Sequence, residues 1–127
     1  MLEIKIRTTN KTEARDITDE VIMMVKGKEG RLFHLYTPHT TCGLLINEDA
    51  DPSVMKDIIE ALERIVPEGY PYKHLEGNAH AHIKSSIIGC SVIVPFSEGV
   101  PRLGTWQGIF LMEFDGPRER KVYITLI

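Results

Sequence analysis

The 127-residue chain is predicted to fold as one small α+β domain over 1–127, a β-sandwich-like mixed sheet with about three helices. Three observations predict it. Both ends alternate apolar and polar residues as half-buried strands do, and three interior stretches carry helix start and stop signals. With 43% apolar residues the chain can bury a core without disulfide or metal staples. No repeat, low-complexity tract or Pro/Gly-rich linker divides it.

Leu2-Glu3-Ile4-Lys5-Ile6-Arg7 alternates strictly, which predicts a strand with one buried face. Ile17-Thr18-Asp19-Glu20 reads as a helix start. Thr18 caps free amides, two carboxylates suit the positive helix end, and Ile17 packs against Ile22. Gly27 and Gly30 close that helix, and Arg31 to Tyr36 predicts the next strand. Cys42 to Ile46 predicts a buried strand running into Asn47-Glu48-Asp49. Asp51-Pro52 supplies an N-cap and a proline at the first helical position. Met55, Ile58, Ile59, Leu62 and Ile65 then make one apolar stripe before Pro67-Glu68-Gly69 ends the helix. Asn78 opens a short helix through Ile88, closed by a left-handed Gly89, with Ala79, Ile83 and Ile87 on its buried side. Cys90 to Phe96 and Thr105 to Phe114 predict strands, the second with a bulge or close approach at Gly108. After the Asp115-Gly116-Pro117 turn, Lys121 to Ile127 alternates again. Because the chain stops on Ile127 inside an apolar strand, the sheet or a neighbouring subunit is expected to cover that end.

Composition narrows the function classes. A net charge of −3 argues against broad nucleic-acid or anionic-membrane binding, both of which need surplus positive charge. No apolar run is long enough to span a bilayer, and the N-terminus is unlike a secretory signal. Two cysteines, Cys42 and Cys90, in apolar strand contexts, make no disulfide framework, so a reducing cytoplasm is the expected setting.

Several segments can carry chemistry. Thr37-Pro38-His39-Thr40-Thr41-Cys42-Gly43 sets an imidazole among hydroxyls on a turn, where it can act as acid or base, bind a metal, or simply bond its neighbours. Asn47-Glu48-Asp49-Ala50-Asp51 gathers oxygen ligands that suit Mg²⁺, with Asn47 and Glu48 the better candidates because Asp51 is already a cap. In Asn78-Ala79-His80-Ala81-His82-Ile83-Lys84 a helix would put His80 and Lys84 on one face. A strand would instead pair His80 with His82 as a start for zinc, and the sequence leaves both open. Thr105-Trp106-Gln107, between Gly104 and Gly108, offers close backbone approach and an aromatic wall, or else a core tryptophan at a bulge. Arg102, Arg118 and Arg120 can bind phosphate or stand solvated.

In order, Thr37-Pro38-His39-Thr40-Thr41-x-Gly43, Asn47-Glu48-x-x-Asp51-Pro52, Tyr72-x-His74, Glu76-Gly77, Ala81-His82-Ile83-Lys84-x-Ser86 and Leu103-Gly104-Thr105-Trp106-Gln107-Gly108-Ile109 resemble the secondary thiamine-phosphate synthase (YjbQ-like) family. The resemblance extends to the Glu113–Arg118 turn. It implies a small α+β sandwich that assembles as a homotrimer with pockets between subunits, and it favours His39, His74 and His82 over His34 and His80. It also implies a reaction that joins a pyrimidine pyrophosphate to a thiazole phosphate. On that reading His39, Glu48, His82 and Lys84 serve catalysis, while Asn47, Thr105, Trp106, Gln107 and Arg118 hold the phosphorylated or heteroaromatic metabolite. A divalent metal, zinc or magnesium, would assist. Two other functions use the same residues: a metal-dependent hydrolase or phosphatase with zinc on His39, His74 and His82, and a non-catalytic trimer that binds a small anionic metabolite.

Overall fold

The computed structural model describes all 127 residues. The elements are β1 (Leu2–Arg7), β2 (Glu13–Asp16), α1 (Thr18–Val25), β3 (Leu32–Tyr36), β4 (Cys42–Glu48), α2 (Pro52–Ile65), α3 (Ala79–Ile88), β5 (Ser91–Ser97), β6 (Val100–Pro101), β7 (Gln107–Glu113) and β8 (Glu119–Leu126). One sheet runs β1-β8-β3-β5-β6 and the other β2-β7-β4. The α+β class holds with three helices, and every strand pairing is antiparallel where a mixed sheet was expected.

Alternation places the main core between the sheets. Ile4 and Ile6 of β1, Phe33 and Leu35 of β3, Val94 and Phe96 of β5, and Val122 and Ile124 of β8 meet Leu44, Ile109 and Leu111, with Val21 and Val25 added from α1. The other face of β7 turns Phe110 and Met112 towards Met55 and Leu62 of α2 and Ala81 of α3. The second sheet is thus buried on both faces, which is why Ile109-Phe110-Leu111-Met112 reads as a continuous apolar run. Asp51 caps α2 as expected, accepting the Ser53 amide at 2.9 Å.

Several local expectations are corrected. Thr18 does not cap α1. Asp16 accepts both its amide and its hydroxyl, at 2.9 and 2.5 Å, while the Thr18 hydroxyl oxygen accepts the Ile109 amide. Ile17 is buried but Ile22 is exposed, so that staple is missing. Ile65 also lies outside its stripe. On α3 the buried side is Ala79, His80, Ala81, Lys84 and Ser85, while Ile83 and Ile87 face outward. The end of α3 approaches β4 closely: a Cβ on Gly43 would lie 2.7 Å from the Gly89 carbonyl and 2.8 Å from Ile88 Cγ2, so Ile88 is the isoleucine that packs over the sheet. Gly89 adopts φ +97° with ψ 158°, an extended mirror conformation in place of a left-handed helical one. Cys90 is exposed and precedes its strand, in contrast to buried Cys42. Gly108 is a close-approach point against Asp49 rather than a bulge, because β4 and β7 pair without an extra residue. At the chain end, the Ile127 carbonyl accepts the Arg31 and Leu32 amides while its side chain stays exposed.

Candidate functional site

The turn between β3 and β4 is fixed at several points before any ligand arrives. The Thr37 hydroxyl donates to the Lys121 carbonyl at 3.0 Å, and the Lys121 amide donates to His39 Nε2 at 3.0 Å. The preceding residue of β8, Arg120, donates to the Thr41 carbonyl and hydroxyl at 3.2 and 2.8 Å. Its charge is matched by Glu113, which takes two hydrogen bonds from the guanidinium and others from the Thr8 hydroxyl and the Asp115 amide. Both ionic partners are essentially inaccessible, with Arg120 at 1% and Glu113 at 0% exposure.

Two adjoining pockets open on this turn and share Pro38, His39, Thr40 and His82. The larger, about 600 Å³, adds Tyr36, Ser85, Ser86 and Cys90. The smaller, about 330 Å³, adds Glu76, Asn78, Asp115, Arg118 and Arg120, and none of its lining residues is hydrophobic. His82 enters from α3, and the His74 ring lies edge-on to it with centroids 5.2 Å apart. The histidines singled out by the motifs are therefore brought together.

Hydrogen bonding decides what His39 can do. Its Nε2 accepts a backbone amide, so in the neutral ring Nδ1 carries the proton and the side chain is a donor towards a ligand. Burial, reinforced by the Arg120 charge, holds its pKa below the usual histidine value of 6.5, so the neutral form prevails at pH 7. An imidazole with its one lone pair already engaged is poorly suited to ligate metal or abstract a proton.

Other candidates stand elsewhere. Residues 79–88 are helical, so His80 and Lys84 share a face and the strand-type His80–His82 pair does not form. Lys84 does not reach either pocket. It is 2% exposed, with its ammonium 2.6 Å from Glu63 and 2.9 Å from His80 Nδ1. Asn47 and Glu48 lie at the far end of β4 from Cys42, six residue rises or about 20 Å away. There Glu48 and Asp49 border a third pocket of about 320 Å³ floored by Met55, Ile59 and Phe110. Thr105 and Trp106 form the turn into β7 at this same end, with the Trp106 carbonyl bonded to the Asp49 amide and Gln107 opposite Glu48. Trp106 is 63% exposed, not a core residue.

The residues do not preform a metal centre. No three His, Cys, Asp or Glu side chains are grouped to hold an ion. Asp51 is taken up by its capping bond and His39 by Lys121. Sequence reading missed the Glu113–Arg120 pair and the Asn78–Asp115 contact. A signal for the first was present, since Glu113 is the one charge in the apolar run Ile109–Phe114 and Arg120 holds an inward position in the alternation that continues with Val122 and Ile124. No helix is long and apolar enough to cross a membrane.

Comparison with known proteins agrees with this architecture. The UPF0047 protein YjbQ-like family profile matches residues 2–127. A UPF0047 protein of Methanocaldococcus jannaschii is 48% identical over 130 residues, covering 100% of this chain and 94% of the relative. UPF0047 protein YugU of Bacillus subtilis is 43% identical over 127 residues, covering 98% and 96%. The crystal structure of a YjbQ/UPF0047 family protein from Clostridium acetobutylicum superposes with a TM-score of 0.95 at 44% identity, with 100% of each chain covered. With its full length matched in sequence and in backbone, the chain belongs to the UPF0047 (YjbQ-like) family.

Proposed function

We propose that the chain is a small-molecule enzyme that holds the phosphate groups of a heteroaromatic metabolite in the His39–His82 pockets and carries out transfer of the thiamine-phosphate synthase type. The observation that carries this reading is the commitment of His39 Nε2 to the Lys121 amide, which makes His39 an N–H donor beside Thr40, His82 and Arg118. In such a transfer a ring nitrogen attacks the carbon that bears pyrophosphate, the C–O bond breaks, and negative charge grows on the departing oxygens. Preorganised N–H and guanidinium donors stabilise that charge. His39, His82 and Arg118 take this role. Lys84, bonded to Glu63, supports the helix that carries His82. No step is assigned to a metal.

The Asn47, Glu48, Thr105, Trp106 and Gln107 group stands too far from His39 to share its pocket within one chain. It joins the reading through a homotrimer, in which one chain offers Trp106 as a stacking surface to a ligand on the next chain's histidines. The outward Ile83 and Ile87, on the same helix as His82, support such contacts. Two free thiols suit a reducing cytoplasm.

The test is a coupling assay with pyrimidine pyrophosphate and thiazole phosphate. The expected result is product formation that drops by roughly 10²-fold in His39→Ala and in His82→Ala. Undiminished product in both variants overturns the reading. Ligand-dependent stabilisation without product would make the protein a binding module instead.

A further inference from the structure

Residues 69–77, between α2 and α3, are anchored at both ends and free between them. On one side the Glu68 amide donates to Glu63 at 2.9 Å and the Glu68 carboxylate pairs with Lys11. On the other, Asn78 Nδ2 donates to Asp115 at 2.9 Å. Between these points the polar contacts stay within the loop. The Tyr70 amide and the Tyr72 hydroxyl donate to the Pro67 carbonyl, the Tyr72 amide donates to the Tyr70 carbonyl, and His74 stands 3.9 Å from Glu76. No hydrogen bond joins residues 69–77 to a strand or a helix. A segment held so thinly opens at little cost in free energy, and binding loops and lids are drawn from such segments. Gly77, at its end, has φ +80° and nothing within 4 Å of where a Cβ would stand, so the backbone can turn there unobstructed.

The same loop stands at the rim of the site. The His74 ring lies edge-on to His82, and Glu76 lines the smaller pocket. Leu75, between them, is 97% exposed. One exposed leucine is ordinary. This one stands beside a pocket with no hydrophobic residue in its wall, whereas ligand pockets are as a rule lined mainly by apolar groups. We infer that residues 69–77 are a lid that closes over a phosphorylated ligand in the smaller pocket and lays Leu75 across its mouth as the missing apolar wall. Closure needs only a pivot of the loop, because the residues on either side of Leu75 already stand at the site. With water excluded, the phosphate charge meets Arg118 at a lower dielectric, which strengthens the pairing and slows release. This deepens the proposed function and rests on its reading that these pockets hold phosphate groups.

Hydrogen exchange of the intact protein, read by mass spectrometry with inorganic pyrophosphate as the probe, tests the lid, and calorimetry sets the saturating concentration. Amides of residues 69–77 should exchange fast in the unliganded protein and about ten-fold or more slowly with pyrophosphate bound. Leu75→Ser should remove most of that protection and weaken pyrophosphate by about ten-fold through faster release. Its unliganded thermal midpoint should match the native one, because Leu75 stands almost wholly in water. Leu75→Met should keep both protection and affinity. A segment already protected without ligand overturns the lid, since it is then held shut or covered by a neighbouring chain. Exchange that bound pyrophosphate leaves unchanged overturns it too, as does native protection in Leu75→Ser. Where pyrophosphate binds in these outcomes, the phosphate reading stands. If pyrophosphate does not bind but the coupling assay yields product, the lid alone falls. If it does not bind and no product forms, both fall.

Discussion

Glu113 stays ionised although burial pushes its pKa up, because Arg120, Thr8 and the Asp115 amide together pull it below the usual carboxylate value of 4.5. Removing one partner of such a pair strands the other in a low-dielectric interior, a loss of about 3–5 kcal/mol, whereas replacing both by apolar residues costs far less. Arg120→Met and Glu113→Leu should each lower the urea midpoint sharply, and the double variant should recover much of the difference. A double variant less stable than either single would refute the pairing argument. The histidines add a pH dependence of known sign. Burial, with the Arg120 charge at His39 and the Lys84 charge at His80, lowers both pKa values from 6.5. The unfolded chain therefore binds more protons just below pH 6.5. Stability is full above that pH and declines as pH falls through the lowered folded values. Glu113 adds a second decline below 4.5, towards its own depressed value. Urea titrations at stepped pH should show the first decline shrink in His80→Gln. A midpoint that rises as pH drops below 6.5 would contradict the assignment.

At the scale of elements, what the sequence disclosed was periodicity, and what it concealed was which face of a helix is narrow. β1, β8 and the capped α2 were legible because each writes its environment into two- or 3.6-residue spacing. β2 was not, since Glu13-Ala14-Arg15-Asp16 carries no apolar alternation; backbone pairing to β7 holds it, with Ala14 against the second core. α3 misled for a different reason. Its isoleucines suggested the inward side, but only Ile88 packs over the sheet, at Gly43, while Ala79, Ala81 and Ser85 are buried and Ile83 and Ile87 stay exposed. The same contact makes a prediction. In Gly43→Ala the added methyl would lie 2.7 Å from the Gly89 carbonyl and 2.8 Å from Ile88 Cγ2. Overpacking of this kind costs about 1–3 kcal/mol. Gly69→Ala, with nothing within 4 Å of the new methyl, is the control and should leave the thermal midpoint nearly unchanged. Equal midpoints for the two variants would mean that α3 is not seated on β4 as described. The site was legible in the same uneven way: motif residues His39, His74 and His82 do converge, while Lys84 was hidden by its bond to Glu63, which no spacing rule reveals.

For the whole molecule, the question is where apolar surface remains after both cores are filled. Ile83 and Ile87 on α3, Ile93 on β5 and Tyr36 at the end of β3 are all exposed in the single chain, at 39, 55, 59 and 40%. Single exposed hydrophobes are ordinary. Here Ile83, Ile87 and Tyr36 sit on elements that also line the larger pocket, which Tyr36 itself borders, so a neighbour covering them would stand next to a ligand held there. The proposed trimer accounts for both features, and it gives the distant Glu48–Trp106 end of the second sheet a route to the histidines of another copy. Charge placed on that helix face should then act on assembly first and on folding little, because neither isoleucine belongs to the chain's own cores. The double variant Ile83→Glu/Ile87→Glu should sediment as a single chain while the native protein sediments as three. Its far-ultraviolet circular dichroism should match the native spectrum, and coupling activity should be lost with the quaternary structure. A native protein that sediments as one chain would remove the trimer. A variant that stays trimeric would move the interface to another face.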